Sequence, residues 1–399
     1  MCKPLLVGCD STGTQSTSST GSTSSGGVTE LPWKPPVARP KLVSRIAEIG
    51  PLSDTPDENG VRVPAGFTAR VVARTNEAPM AGSDFKWHIA PDGGATYPLE
   101  DGGWIYVSNS EVPLAGGVGA LRFDASGALV SAYSILANSS VNCAGGPTPW
   151  GAWLSCEEVA RGRVFECDPR GEIQAVERPA LGIFKHEAAA VDPKLHHVYL
   201  TEDEDDGCFY RFTPDRIASY GYADLSSGKL EVAAVDANGA VTWHELPDPI
   251  YEKGIATRKQ VAAATLFDGG EGIWYHEGIV YFSTKGDGRV WAYDVNASTL
   301  SVLYDAKTAA NPILKGVDNL TVSCCGDVLV AEDGDDMQIV AILPNGELKP
   351  IMQIMGHDKS EVTGPAFDPS GTRLYFSSQR GNASGGITYE VTGPFHAPG

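Results

Sequence analysis

The stretch from Gly278 to Asp294 reads GIVYFSTKGDGRVWAYD, and it decides the fold. Two apolar runs, 278–284 and 288–294, flank a short polar turn. Valine, isoleucine and aromatic residues favour strands, and a turn rich in Gly and Asp favours a hairpin. The stretch therefore predicts two antiparallel strands joined by a tight turn.

The same pattern recurs along the chain. Copies of the hairpin occupy residues 103–124, 151–168, 197–212, 327–342 and 373–390. A further strand precedes each hairpin and a weaker one usually follows, which gives about four strands per copy. Six such units predict an all-β fold, a six-bladed β-propeller. The segment Thr68–Ala73 is another strand candidate, expected to close the ring by pairing with the last blade.

Length and charge limit the functional classes. The chain has 399 residues and a formal net charge of -20. A surface this acidic repels the phosphates of nucleic acids, so we exclude nucleic acid as a partner. Two explanations of the acidity remain: the carboxylates keep the protein soluble, or they bind cations such as Ca²⁺.

The beginning of the chain lacks strand patterning. Leu6-Val7-Gly8-Cys9 resembles a bacterial lipobox, and residues 10–27 form a tether of mostly Ser, Thr and Gly. We assign residues 1–40 to a truncated signal and tether, and residues 41–399 to the propeller. The expected location is the cell envelope, in the periplasm or on the outer surface, with a lipid anchor at Cys9. The alternative is an unstructured terminus with a chance cysteine.

The inner strands of a propeller line its central channel, and residues at the strand starts face one axis. Cys143, Glu187, Glu271 and Asp318 are expected to converge there. The polar turns add further acids at related positions: Glu111, Glu157, Glu158, Glu202, Asp203 and Glu332. Converging carboxylates repel one another unless a cation compensates them, which predicts bound metal.

Ligand chemistry suggests which metals are involved. Carboxylate oxygens suit calcium, whereas the softer Cys143 thiolate favours a transition metal at one position. The alternative for each acid is a solvated hairpin residue, and for Cys143 a packed thiol. The neighbouring cysteines Cys324 and Cys325 form either a disulfide or two thiols, and the sequence leaves both open.

Several of these motifs together resemble the PhoX family of bacterial alkaline phosphatases. The resemblance covers most of residues 60–380. It is carried by Asn142-Cys-Ala-Gly-Gly-Pro-Thr-Pro-Trp-Gly151, Leu154-Ser-Cys-Glu-Glu158, Phe184-Lys-His-Glu187, Val317-Asp-Asn-Leu320 and Ala331-Glu-Asp-Gly334.

The resemblance implies an exported, monomeric propeller that hydrolyses small phosphate esters. It implies a cofactor of two Fe³⁺ ions and three Ca²⁺ ions with a bridging oxide. By position, Cys143 is the iron-binding cysteine, and four acids are further ligands: Glu187, Glu271, Asp318 and Glu332. Four more are candidates for calcium: Glu111, Glu157, Glu158 and Glu202.

The sequence departs from the larger family members in two ways. It is shorter, and Gly269-Gly270 precede Glu271 where we expect a phosphate-binding Arg. The candidates to replace that Arg are Lys185, Lys285 and Arg380. Two other functions stay open at this point: a non-catalytic calcium-binding envelope propeller, and a lactonase-like hydrolase with a single calcium.

Overall fold

The computed structural model describes Trp33 and residues 37–334, 336–382 and 385–399. The lipobox and the tether lie outside these residues, so their assignment stays a prediction. Three single helical turns interrupt the strands, at Ile46–Glu48, Pro179–Leu181 and Thr257–Lys259. Among the described residues, no helix is both long and apolar enough to cross a membrane.

Strands dominate the described residues: six antiparallel sheets surround a central channel, and a further sheet contains only two strands. Three strands precede the first complete blade: β1 (Leu42–Ser44), β2 (Val61–Arg62) and β3 (Thr68–Arg74). Blade 1 contains β4 (Pro91–Pro98), β5 (Trp104–Ser110), β6 (Gly116–Phe123) and β7 (Leu129–Ser139). Blade 2 contains β8 (Asn142–Pro147), β9 (Trp153–Glu157), β10 (Val164–Cys167) and β11 (Val176–Glu177). Blade 3 contains β12 (His186–Val191), β13 (Val198–Glu202), β14 (Phe209–Pro214), β15 (Gly228–Val235) and β16 (Val241–Glu245).

The second half of the ring repeats the arrangement. Blade 4 contains β17 (Gly270–His276), β18 (Ile279–Thr284), β19 (Arg289–Asp294) and β20 (Thr299–Asp305). Blade 5 contains β21 (Val317–Val322), β22 (Val328–Glu332), β23 (Gln338–Ile342) and β24 (Leu348–Ile354), with β2 added outside β24. Blade 6 contains β25 (Val362–Phe367), β26 (Arg373–Ser378) and β27 (Ile387–Thr392). The six-bladed propeller is confirmed, and all six predicted hairpins are the middle strands of the blades.

The ring closes by exchange of a strand from the N-terminal part of the chain. Strand β3 completes blade 6 by pairing antiparallel with β27, from Thr68 opposite Thr392 to Arg74 opposite Ile387. This confirms the predicted closure. The inner strands of neighbouring blades pack against one another around the whole ring, and β25 meets β4. Tyr106 of blade 1 stacks on Tyr375 of blade 6 with ring centroids 5.0 Å apart, so aromatic packing supports the same junction.

A β-bulge occurs near the start of every inner strand. In blade 2, for example, Asn142 pairs with Glu157 and the register then shifts before Gly145. Small residues follow the bulge because the chains approach closely there: a Cβ on Gly145 would lie 2.0 Å from the carbonyl oxygen of Leu154. A bulge changes the direction in which the side chains beside it point. The repeated bulge therefore turns one side chain per blade toward the channel.

Candidate metal centre

Five blades place a carboxylate or thiol side chain at the same point of the inner strand, directly after its first cross-strand pair. All five side chains are buried: Asp92, Cys143, Glu187, Glu271 and Asp318. Blade 6 has Thr363 at this position. The predicted convergence of the inner-strand starts is thus present in the geometry.

A second position repeats in the same blades, directly after the second strand. We call these residues the channel row: Glu111, Glu158, Asp203, Lys285 and Asp333. Glu361, which precedes β25 in blade 6, adds another buried carboxylate near Asp333.

The possible ligand atoms of these residues form four overlapping groups, within each of which the atoms lie less than 4.8 Å apart. The groups are Asp92, Glu111 and Cys143; Cys143, Glu158 and Glu187; Glu187, Glu271 and Asp318; and Asp318, Asp333 and Glu361. Because each group shares a residue with the next, we treat them as one assembly and call it the channel cluster.

Three cations neutralise part of this charge. Lys285 Nζ lies 3.0 Å from Glu271, 3.5 Å from Asp318 and 3.4 Å from Asp333. Lys185 Nζ lies 2.9 Å from Glu158 and 2.7 Å from Asp203, and Arg380 lies 3.1 Å from Glu361. The structure therefore places all three candidates for phosphate binding at the channel cluster.

The pKa values reflect burial first and the crowding of like charges second. Burial, and then the charges of Glu271 and Glu158, raise the pKa of Glu187 well above its usual range. Burial raises the pKa of Glu158 to about 7. Burial, reinforced by Asp92 and Glu187, likewise raises the pKa of the Cys143 thiol. Burial together with the neighbouring charges thus favours the protonated forms of these groups.

The donor set fits bound metal. Glu187 is only 1% exposed, and its Oε1 has no hydrogen-bond partner among the described residues. A buried carboxylate oxygen without a donor is costly unless a cation takes that place. One thiol among eight carboxylates offers both a soft position and several hard oxygen positions.

Three predicted ligands lie elsewhere. Glu157, Glu202 and Glu332 are the last residues of the second strands, and we call them the blade row. Successive side chains of a strand alternate between its faces, so each points away from its neighbour in the channel row. The three carboxylates bind within their own blades and do not join the channel cluster.

The contacts of the blade row are specific. Glu157 Oε1 accepts from the amide of Ser140 at 2.9 Å. Glu202 accepts from the Tyr210 hydroxyl at 2.6 Å and forms an ion pair with Arg258 at 3.2 Å. The row therefore ties strand ends to the loops of the blades.

Sequence reasoning missed Asp92 and Glu361, and it did not include Asp333 among the ligands. A signal for Asp92 was present, because small residues follow it as they follow Cys143, Glu187 and Glu271. Aligning the inner strands on those residues would have found it. Glu361 has no such signal, since it lies two residues before the equivalent position in blade 6.

The position before Glu271, where we expected an Arg, has backbone of a strand of the neighbouring blade packed against it. A Cβ on Gly270 would lie 3.0 Å from the carbonyl oxygen of Glu202. Lys285 instead approaches the segment before Glu271. A Cβ atom added to Gly269 would lie 3.7 Å from the Cβ atom of Lys285. The nearest cation to Glu271 therefore comes from the hairpin turn of the same blade.

Comparisons with known proteins agree with this geometry. The family described as alkaline phosphatase PhoX matches residues 108–167 and 159–381, more than half of the chain. The Pseudomonas fluorescens PhoX structure, in complex with the transition-state analogue vanadate, is similar with a TM-score of 0.69 and 18% identity. The similarity covers 86% of this chain and 97% of that one.

Other solved structures share less. A Bacteroides thetaiotaomicron protein of unknown function gives a TM-score of 0.50 at 8% identity, covering 86% of this chain and 83% of that one. A Xanthomonas campestris gluconolactonase gives a TM-score of 0.49 at 12% identity, covering 92% and 99%. The curated proteins contain no match.

The six-bladed propeller, the cluster of carboxylates and one thiol in its channel, and the family match together define a phosphoric ester hydrolase. This chain belongs to the PhoX alkaline phosphatase family.

Proposed function

We propose that the chain hydrolyses phosphate monoesters with an iron–calcium cofactor held in the channel cluster. The observation that carries the proposal is the set of buried carboxylates around Cys143 and Glu187, which lacks enough protein cations to balance it. The resemblance to the family suggests two Fe³⁺ ions, three Ca²⁺ ions and a bridging oxide as the balancing group.

The proposed ligands come from the equivalent positions of the blades. Cys143 is the thiolate expected to bind iron, beside Glu158 and Glu187. Asp92, Glu271, Asp318, Asp333 and Glu361 supply hard oxygens for the other ions. When bound, such a metal group polarises a phosphoryl group and stabilises the charge that develops during displacement.

The three cations are proposed to orient the phosphate. Lys285 is held by three carboxylates, and it becomes available to an anionic substrate as metal takes over those carboxylates. Arg380 and Lys185 lie at other parts of the same cluster and can bind further phosphate oxygens. Together they are proposed to replace the Arg that is missing before Glu271.

The test combines metal content with a substrate screen. Protein purified without chelator is analysed for iron and calcium and then assayed on phosphate monoesters, phosphate diesters and lactones. We expect both metals and monoester turnover, with turnover lost in Cys143→Ala and Glu271→Gln and after calcium chelation.

A matched control is Glu202→Gln, which removes a buried carboxylate of the blade row. Its turnover is expected to match that of the unmodified protein. Calcium without iron, together with lactone turnover, would instead favour the lactonase-like alternative. Metal-dependent melting without any turnover would favour the non-catalytic propeller.

The location is a separate part of the proposal. The lipobox supports export and lipid attachment at Cys9, with membrane contact through that anchor alone. Labelling cells with a radioactive fatty acid tests it, and Cys9→Ala is expected to remove the label. We also propose that the propeller is a monomer, which sedimentation of the purified protein would measure.

A further inference from the structure

A second group of possible metal ligands lies outside the channel cluster. It consists of Cys324, Cys325 and His396, whose possible ligand atoms lie within 4.8 Å of one another. Both cysteines are free thiols, and their sulfur atoms are 3.6 Å apart. Thiol and imidazole groups together favour Zn²⁺ and similar thiophilic ions over calcium.

The two cysteines are held in a rigid turn between β21 and β22. The amide of Gly326 donates to the carbonyl of Ser323 at 3.1 Å, and the amide of Ser323 donates to the carbonyl of Asp327 at 2.8 Å. The Ser323 hydroxyl donates to Asp327 at 2.7 Å. We call residues 323–327 the thiol turn. Its internal bonds fix the backbone that carries both cysteines before any ligand binds.

His396 is prepared to act as a ligand. The ring is only 5% exposed, and Nδ1 lies 2.8 Å from the carbonyl oxygen of Gly371. A carbonyl oxygen only accepts, so Nδ1 carries the proton and Nε2 keeps a free lone pair. Nε2 is buried and has no hydrogen-bond partner among the described residues. An imidazole whose other nitrogen is fixed by a carbonyl is the usual arrangement of a histidine metal ligand.

The position of this group separates it from the channel cluster. Asp318 lies near the start of β21 and Cys324 lies in the turn after its end, and the four strand steps from Asp318 to Val322 alone span about 13 Å. His396 begins the last strand, β28 (His396–Pro398), which pairs with β1, and the Cys325 thiol donates to the carbonyl of Leu42 in β1 at 3.4 Å. The group thus joins blade 5 to the sheet made by the two ends of the described chain.

The site is open to solvent on one side. Cys324 is exposed, and together with His396 it lines a cavity of about 90 Å³. A zinc ion with three protein ligands takes its fourth ligand from water or from a bound molecule.

We propose that Cys324, Cys325 and His396 form a second metal site, for a thiophilic ion such as Zn²⁺, which fastens the β1–β28 sheet to blade 5. Binding releases the thiol protons to solvent and forms two metal–sulfur bonds and one metal–nitrogen bond. Nothing in this proposal depends on the phosphatase reaction.

The experiment measures protection of the thiols in the intact protein. An alkylating reagent is applied under native conditions with and without Zn²⁺, and the modified peptides are identified by mass spectrometry. We expect Cys324 to react at least 10-fold more slowly with Zn²⁺ present, and the protection to disappear in His396→Gln. This readout is specific to the thiol turn, so zinc bound in the channel cluster does not disturb it.

A second measurement covers the case in which His396→Gln folds poorly. Cys324→Ser changes an exposed side chain, and we expect it to bind one equivalent of Zn²⁺ less than the unmodified protein while its phosphatase activity is unchanged. Cys208→Ser, at a buried thiol remote from the turn, is expected to keep full zinc binding. Equal Zn²⁺ stoichiometry in Cys324→Ser, absence of protection in the unmodified protein, or a Cys324–Cys325 disulfide in protein isolated without reductant overturns the proposal.

Discussion

The channel row and the blade row are adjacent in sequence but have opposite surroundings. The possible ligand atom of Glu158 lies within 4.8 Å of those of Cys143 and Glu187. Glu157, one residue earlier, instead accepts a hydrogen bond from the amide of Ser140. The pairs Glu202–Asp203 and Glu332–Asp333 divide in the same way. The difference shows that strand alternation, rather than acidity, decides which carboxylates can hold metal in this fold.

The two rows should therefore respond differently to removal of charge. A channel-row or inner-strand acid shares its charge with several others and has few donors, so its loss should affect metal binding. A blade-row acid has its own donors within the blade, so its loss should affect stability. Paired substitutions test this division.

The largest effect is expected for Glu187→Gln. Glu187 belongs to two of the four overlapping groups, and the amide keeps its size but removes the charge. We expect metal content to fall and kcat/KM on a phosphate monoester to drop by at least about 100-fold, since even indirect partners of a metal cost 10–100-fold.

Glu202→Gln is its control in the same blade, because both carboxylates are buried. Its metal content and kcat/KM are expected to stay unchanged. Equal losses of activity in the two variants would contradict the division into rows.

Lys285→Met is expected to have the next largest effect. The substitution removes the ammonium group closest to Glu271 and retains an unbranched side chain. We expect kcat/KM to fall about 100-fold, the lower end of the loss caused by removing one hydrogen-bond donor to the transition state. Metal content should be retained, since the variant removes a positive charge that competes with the ions.

The matched control is Lys259→Met, which breaks an exposed ion pair to Asp206 in blade 3. Exposed pairs contribute little, so both activity and stability should stay close to those of the unmodified protein. A Lys285→Met variant with unchanged kcat/KM would show that the lysine only balances charge.

Much of the fold could be predicted from the sequence because the signal is local and repeated. Alternating apolar residues around a Gly- and Asp-rich turn mark each hairpin, and Thr68–Ala73 has the same pattern, so both the blade number and the closing strand could be derived. The inner-strand members of the channel cluster, Cys143, Glu187, Glu271 and Asp318, could be named because they follow from strand starts.

The remaining site residues depend on features that a sequence pattern does not contain. Glu361 depends on the path of the chain before β25, since it lies two residues ahead of the position that carries an acid or thiol in the other blades. The choice between Glu332 and Asp333 requires the exact last residue of β22, and strand ends are the least certain part of a sequence prediction. A shift of one residue exchanges the two rows.

The smallest effect on activity is expected for Glu332→Gln, compared with Asp333→Asn. Glu332 Oε1 accepts from the Lys315 amide at 2.8 Å and Oε2 accepts from the Gln338 amide at 3.0 Å, so both oxygens are used by backbone donors. Glutamine replaces one of these oxygens with an NH₂ group that faces another N–H. We expect the free energy of unfolding in urea to fall by about 1–3 kcal/mol, the cost of a buried group without its partner.

Its neighbour should behave in the reverse manner. Asp333 is part of the channel cluster and lies 3.4 Å from Lys285, so Asp333→Asn should lower metal content and monoester turnover by about 10-fold while changing the free energy of unfolding less than Glu332→Gln does. Parallel urea titrations, metal analyses and rate measurements on the two variants give three independent comparisons. Because side chains alternate along β22, we expect the stability loss at residue 332 and the activity loss at residue 333, and the opposite result would place β22 one residue out of register.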